Sequence, residues 1–364
     1  MNMVCDLFCR VVDNFGDAGV CWRLARQLAN EYRWQMRLWI DDLAPLGQLQ
    51  PEIDPHLTRQ SVNSVDIRQW HQSPSAFPAI EPGNIVIEAF ACELPPGFVD
   101  EMNRAATEGK RLIWLNLEYL SAEPWVAGCH GLPSPQGNSP VRKYFFFPGF
   151  TAGTGGLIRE FDLLPGLAPD NATLEISLFC YDNPALPDLL TAWSQSQQAI
   201  RCRVAPGWAQ KGVSAWLGGN FAEGACGQVG QLRLEALSFL PQTAYDELLA
   251  GCHVNFVRGE DSLVRAQWAE RAWIWQAYPQ AQGAHWPKIQ ALLDLYTQGL
   301  NQQQQAAVIN CWRAWNGDGS MAGAWTEFCK IIPQLIEKAP DWAKNITLAG
   351  HLAENLVKFC AARL

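Results

Sequence analysis

The chain has 364 residues, 48% of them hydrophobic and 17% charged, with a formal charge of −9 at neutral pH. That length suits two domains, because single cores stop growing near about 250–300 residues, and the composition excludes a disordered chain. The acidic balance argues against a nucleic-acid surface, and no apolar run is long enough to span a bilayer.

The N-terminus, MNMVCDLFC, has no basic leader and carries Asp6 inside its apolar run, which makes it a poor signal peptide. The twelve cysteines form no C-x-x-C pair, and neither Cys5 with Cys9 nor Cys252 with His253 has the spacing of a zinc site. Reduced thiols and a cytoplasmic location are expected, with no nucleic-acid or membrane partner.

Taken along the chain, Val4 to Val12 reads as a buried strand, and Val20, Leu24 and Leu28 recur every fourth residue as a helix. Between them lies a glycine-containing turn with two carboxylates, Asp13 and Asp17. Asp17 suits the N-cap of the helix and Asp13 an Asx turn, but a loop at this position also opens into the ligand crevice of an α/β sheet. NFGDAG lacks G-x-G-x-x-G, which disfavours a dinucleotide cofactor.

Met36 to Ile40, Ile85 to Phe90 and Arg111 to Leu117 read as further parallel strands. Asp41 and Asp42 read as solvated carboxylates at a strand end rather than metal ligands. Ser121 to Pro140 reads as loop, Tyr144 to Phe147 as an aromatic run, and Gly149 to Leu157 as a glycine-rich linker between domains.

The second half restarts the pattern, with strands at Leu174 to Cys180, Leu232 to Leu237, Val254 to Val257 and Trp273 to Trp275. Thr243 and Asp246 suggest a capping box on a helix that Gly251 ends. Leu348, Leu352, Leu356 and Phe359 form a helical apolar stripe that can return to the first domain. Arg258 to Ser262, RGEDS, opens another helix. Arg258 and the first-turn amides suit a diphosphate, while Glu260 and Asp261 suit sugar hydroxyls. The alternative is capping by Asp261 or Ser262, with Arg258 paired to an acid.

Three segments carry a resemblance: VVDNFGDAGVCWRLARQLA at Val11 to Ala29, LSAEPWV at Leu120 to Val126, and NFVRGEDSLVRAQW at Asn255 to Trp268. In order and spacing they resemble the EarP family, the bacterial protein-arginine rhamnosyltransferases that modify elongation factor P. The resemblance implies an α/β protein of GT-B fold, two Rossmann-like domains facing each other across a cleft. Their expected extents are 1–172 on the acceptor side and 173–346 on the nucleotide-sugar side, with a C-terminal helix at about 347–364 packed on the first.

It also implies an inverting transfer of L-rhamnose from dTDP-β-L-rhamnose to an arginine of elongation factor P. No metal or other cofactor is expected, because metal-ligand spacings are missing and Arg258 with a helix N-terminus can neutralise the departing charge. Asp13 and Asp17 match the family's essential aspartates, Asp17 as the base. Phe15, Gly16, Tyr181, Phe239, Gln242, Tyr245, Arg258, Gly259, Glu260, Asp261, Ser262 and Tyr278 match the donor side, Tyr245 standing where phenylalanine is commoner.

The residue types suit the reaction. A guanidinium is protonated below about pH 12 and is a poor nucleophile until a carboxylate orients it and takes its proton as the new bond forms. Two rival readings remain at this level: a nucleotide-sugar epimerase of similar fold, which would consume donor without a protein acceptor, and a non-catalytic sugar-nucleotide-binding protein.

Overall fold

The computed structural model describes residues 3–13, 15–71, 80–161, 163, 169 and 172–364. Contacts divide the chain into two units, Met1–Leu163 with Ile346–Leu364, and Leu164–Asn345. Each is a mostly parallel sheet with helices between its strands.

In the first unit the strands are β1 Val4–Cys9, β2 Gln35–Ile40, β3 Arg59–Val62, β4 Val65–Gln69, β5 Ile85–Ala89, β6 Ile113–Leu117, β7 Pro133–Ser134 and β8 Lys143–Phe146. Their order in the sheet is β3-β4-β2-β1-β5-β6-β8-β7, with β3 and β7 antiparallel at the edges and the pairs between them parallel. Every residue of β5 and β6 is buried, as a strand covered on both faces requires.

The second unit holds β9 Leu174–Leu178, β10 Ile200–Val204, β11 Cys226–Val229, β12 Leu232–Ala236, β13 Val254–Arg258 and β14 Ala272–Gln276. They are ordered β11-β12-β10-β9-β13-β14, with β11 antiparallel at one edge.

Both sheets reverse direction of growth once. The chain builds from β1 through β2 to β4 on one side, then returns to lay β5, β6 and β8 on the other; in the second unit β9, β10 and β12 go one way and β13 and β14 the other. The loops leaving β1 and β5, and those leaving β9 and β13, therefore diverge at the carboxyl edge, where open α/β sheets bind ligands.

Several expected elements differ in detail. The first strand stops at Cys9 rather than Val12, and the third ends at Ala89 because Phe90 takes a φ of 57°. The β3–β4 hairpin, whose Arg59, Asp66 and Arg68 form ion pairs, is not among the expected strands. Likewise, β10 alternates Arg201 and Arg203 with apolar residues, and the arginines pair with Glu175 and Glu235.

Thr243 makes no capping box. The helix begins at Gln242 after Pro241, without a side-chain cap, and Asp246 is gripped by Arg265 through Nε at 3.0 Å and Nη2 at 2.8 Å. A reciprocal box forms instead between Asn301 and Gln304.

Gly149 to Leu157 is not a linker. It folds inside the first unit: Gly155 N donates to Phe147 O (2.7 Å), Asn355 Nδ2 to Gly155 O (3.0 Å) and Leu352 N to Leu157 O (2.9 Å). Gly156 sits at φ 75°, a conformation that favours glycine. The chain crosses to the second unit only after Leu163. The last helix, Leu352–Ala361, belongs to the first unit, with Phe359 against Phe146 and Tyr144; Leu348 lies before it and is exposed.

The hub of the first sheet is Asp6, fully buried in β1. Its Oδ1 accepts from Trp39 Nε1 at 2.7 Å, and its Oδ2 from Arg37 Nη2 at 2.5 Å and Gly83 N at 2.7 Å. Asp6→Ala leaves Arg37 facing a half-buried site without its anion, and should lower the unfolding free energy by about 3–5 kcal/mol in denaturant titration.

Candidate active site

At the carboxyl edge of the first sheet, β1 hands over to the helix Phe15–Tyr32 through Arg10–Asp13. Asp17 is not the N-cap. It sits in the first turn, and its carboxylate reaches back, so that Val12 N and Asp13 N both donate to Oδ2 at 2.8 Å. Both amides go to one oxygen, and the second is not engaged by them.

Asp17 is only 3% exposed. Burial raises its pKa above the ordinary aspartate value; the two amides pull it down, and the nearby charges of Asp13 and Asp41 push it up again. Asp41 is no bystander at a strand end: its Oδ1 accepts from Val11 N and from Asp42 N, each at 2.9 Å, which ties the end of β2 to the same loop. Asp42 closes its own turn by accepting from Ala44 N.

Gly16 N donates to Asp13 O at 2.6 Å, and a Cβ on Gly16 would stand 2.7 Å from Asp13 Oδ2. Glycine there lets the Asp13 carboxylate lie over the start of the helix, where the dipole favours a negative charge. Phe15, the first helical residue, is half-buried beside it. Three carboxylates thus gather around one turn, an arrangement suited to a spread cation. Among the described residues no group of three His, Cys, Asp or Glu side chains is placed to hold a metal ion.

The donor-side residues expected from sequence lie at the carboxyl edge of the second sheet. Tyr181 follows β9, Phe239 and Gln242 follow β12, Arg258 ends β13, and Tyr278 follows β14. The Arg258 guanidinium carbon lies 4.2 Å from the Tyr181 ring centre and 4.4 Å from that of Phe179. Tyr278, half exposed, meets Tyr181 edge-to-face at 5.2 Å. Tyr181 N donates to Gln276 Oε1 at 2.9 Å, which fixes the loop after β9 to β14.

Gly259 turns at φ 62°, and its carbonyl accepts from Trp275 Nε1 at 2.8 Å. Ser262 spends its hydroxyl on the turn: it accepts from Arg258 N at 3.1 Å and donates to Arg258 O. Glu260 stands at the N-cap of the helix Asp261–Trp268 without a side-chain cap bond, and Asp261 Oδ2 accepts from Gln242 Nε2 at 3.4 Å. Tyr245 packs edge-on to Phe179 at 5.9 Å, and burial holds its phenol well above the usual range, opposed by its neighbour Ser262.

Phe179 and Gln276 belong to this arrangement although sequence reasoning passed over them. Phe179 is adjacent to the Tyr181 motif and was legible there. Gln276 ends an apolar strand and gave no signal.

A family model described as Elongation-Factor P (EF-P) rhamnosyltransferase EarP matches residues 5–168 and 164–361. The chain belongs to the EarP family. This EarP-family chain is 44% identical to a protein-arginine rhamnosyltransferase of Pseudomonas putida over 99% of both chains, and 40% identical to that of Pseudomonas aeruginosa over 98% of both. It is similar, at a TM-score of 0.66 and 30% identity over 100% of both chains, to a structure solved for EarP-mediated arginine glycosylation of translation elongation factor EF-P. A UDP-glucosyltransferase from Polygonum tinctorium, at 9% identity and a TM-score of 0.52 over 99% of both chains, shares the fold alone. The EarP-family chain is accordingly a glycosyltransferase of GT-B fold.

The raised pKa of Asp17 has a signed consequence for stability. A carboxyl whose folded pKa lies above its unfolded one contributes stability at low pH that is lost as pH rises through the folded value. Asp17→Asn keeps an acceptor for both amides and removes the buried charge. Its Tm should match or exceed the unmodified protein's at pH 8, and the difference should close as pH falls towards the ordinary aspartate range near about 4. A lower Tm for the variant at pH 8 would show that the charge itself stabilises the fold.

Proposed function

We propose that the protein transfers L-rhamnose from dTDP-β-L-rhamnose to an arginine side chain of elongation factor P, with inversion at the anomeric carbon. The observation that carries this reading is the buried Asp17, raised in pKa and flanked by Asp13 and Asp41. The family match and the names of the relatives support the same reaction.

In this reading the first unit handles the acceptor. Asp13 and Asp17 grip the edge of the guanidinium and orient one nitrogen. That nitrogen attacks the anomeric carbon, the bond from the sugar to the diphosphate oxygen breaks, and the proton leaving nitrogen passes to Asp17. A raised pKa makes Asp17 a better acceptor for that proton than an exposed aspartate.

The second unit handles the donor. Tyr181, Phe239, Gln242 and Tyr245 surround the thymine and ribose, with Tyr278 closing over Tyr181. Glu260 and Asp261 accept from hydroxyls. Arg258, set against the rings of Phe179 and Tyr181, neutralises the departing diphosphate together with backbone amides of the turn at Gly259. Phe15 and Gly16 shape the loop that carries Asp13 and Asp17. Because its hydroxyl closes the Arg258 turn, Ser262 serves the donor by shaping that turn. Acting on a translation factor, the enzyme works in the cytoplasm.

The test is the intact mass of elongation factor P after incubation with dTDP-rhamnose, where a deoxyhexose increment is expected. Consumption of donor without an acceptor product would point instead to an epimerase. In the same assay Asp17→Asn should lose about two to four orders of magnitude in rate while still binding donor by calorimetry. Unmodified turnover in that variant would return Asp17 to a purely structural role.

Arg258 and the turn amides supply the charge that a metal would otherwise provide, so transfer should continue unchanged in excess EDTA. Loss of turnover on chelation, with recovery on adding magnesium or manganese, would overturn this part of the reading.

A further inference from the structure

Directly across the strand-order reversal from the Asp13–Asp17 turn lies the loop that leaves β5, and its backbone is strained. Phe90, Ala91 and Glu93 adopt φ of 57°, 51° and 58°, a region that residues with a Cβ rarely occupy. Such strain persists where the surroundings over-determine it, and it gathers at functional sites.

The surroundings here do so. Phe90 N donates to Leu117 O (2.7 Å), Ala91 N to Asn116 Oδ1 (3.1 Å) and Glu93 N to Glu88 Oε1 (3.0 Å), and both Asn116 and Glu88 are buried. Cys92 is fixed below in the core of Phe8, Trp39 and Phe98, its Sγ donating to Phe8 O at 3.6 Å. The product of this scaffolding is a stacked aromatic pair at the sheet's carboxyl edge. The Phe90 and Tyr119 rings lie 4.5 Å apart at an interplanar angle of 17°, and Tyr119 is 37% exposed. A ring pair needed only for packing would belong in the core beneath, which Phe8, Trp39, Trp70 and Phe98 already fill.

A guanidinium offers two separate recognition surfaces: an edge of N–H donors for carboxylates and a weakly hydrated flat face for aromatic rings. The turn after β1 supplies the first. We propose that the Phe90–Tyr119 pair supplies the second, as a platform on which the face of the acceptor guanidinium lies while Asp13 and Asp17 hold its edge. This rests on the arginine-acceptor reading above. It also gives the site a means of preferring arginine to lysine, whose compact ammonium has no face to stack.

The test is steady-state transfer to folded elongation factor P with the acceptor varied. Tyr119→Ala and Phe90→Ala should raise the acceptor KM about tenfold, with donor affinity and Tm as in the unmodified protein. Tyr119→Leu, which keeps apolar bulk and removes the ring face, should show the same rise and covers the case in which the alanine variant fails to fold. Tyr119→Phe should recover the KM. Transfer by the unmodified protein with an unchanged acceptor KM in Tyr119→Leu would overturn the platform alone. Absence of transfer by the unmodified protein would overturn the arginine reading and the platform with it.

Discussion

The constraint on which both units depend is the single reversal of strand order in each sheet. Right-handed crossovers force the helices after strands on the two sides of the reversal onto opposite faces, so the loops at that point part from one another. In the first unit the loops that part carry Asp13 and Asp17 after β1 and the Phe90–Glu93 segment after β5. In the second they carry Tyr181 after β9 and Arg258 after β13. The chemistry-bearing residues are scattered over some 265 positions of sequence, from Asp13 to Tyr278. Topology, applied twice, collects them at two sheet edges.

The two edges hold charge in contrasting ways. In the first, a carboxylate is buried and opposed chiefly by two backbone amides, with like charges nearby, so its negative charge is only partly compensated. A cationic group brought there relieves that imbalance. In the second, the positive group is Arg258, whose guanidinium lies against the rings of Phe179 and Tyr181. A guanidinium set against aromatic rings still has its N–H groups with which to meet oxygen.

Most of the parallel framework was legible because buried parallel strands read as short, largely apolar runs, as β1, β2, β5, β6, β9, β13 and β14 do, while β12 alternates Leu232 and Leu234 with Arg233 and Glu235. The strands passed over, β3, β4, β7, β8, β10 and β11, are short or carry side chains that form ion pairs or face solvent, such as Lys143 on β8 and Arg201 and Arg203 on β10. Turn chemistry misled in two places. Thr243 and Asp246 have the spacing of a capping box, yet a tertiary partner, Arg265, takes the carboxylate. Gly149 to Leu157 has the composition of a linker, yet its glycines allow the chain to fold tightly against the last helix. The acidic turn could be located from sequence, whereas the direction in which Asp17 points could not. N-cap and first-turn positions differ by a few residues, and only the hydrogen bonds to Val12 and Asp13 distinguish them.

The interleaving of the two units along the chain bears on biosynthesis. The second unit is contained within Leu164–Asn345, whereas the first needs Ile346–Leu364 to be complete. Until that segment emerges from the ribosome, the Gly155 carbonyl lacks Asn355, and the Phe146 and Tyr144 rings lack Phe359. The nascent chain can therefore finish its second unit before its first. The unit carrying Asp17 waits, with an incompletely covered sheet, for Ile346–Leu364 to be made, and a stop before that segment strips cover from a sheet whose strands all lie before Gly149.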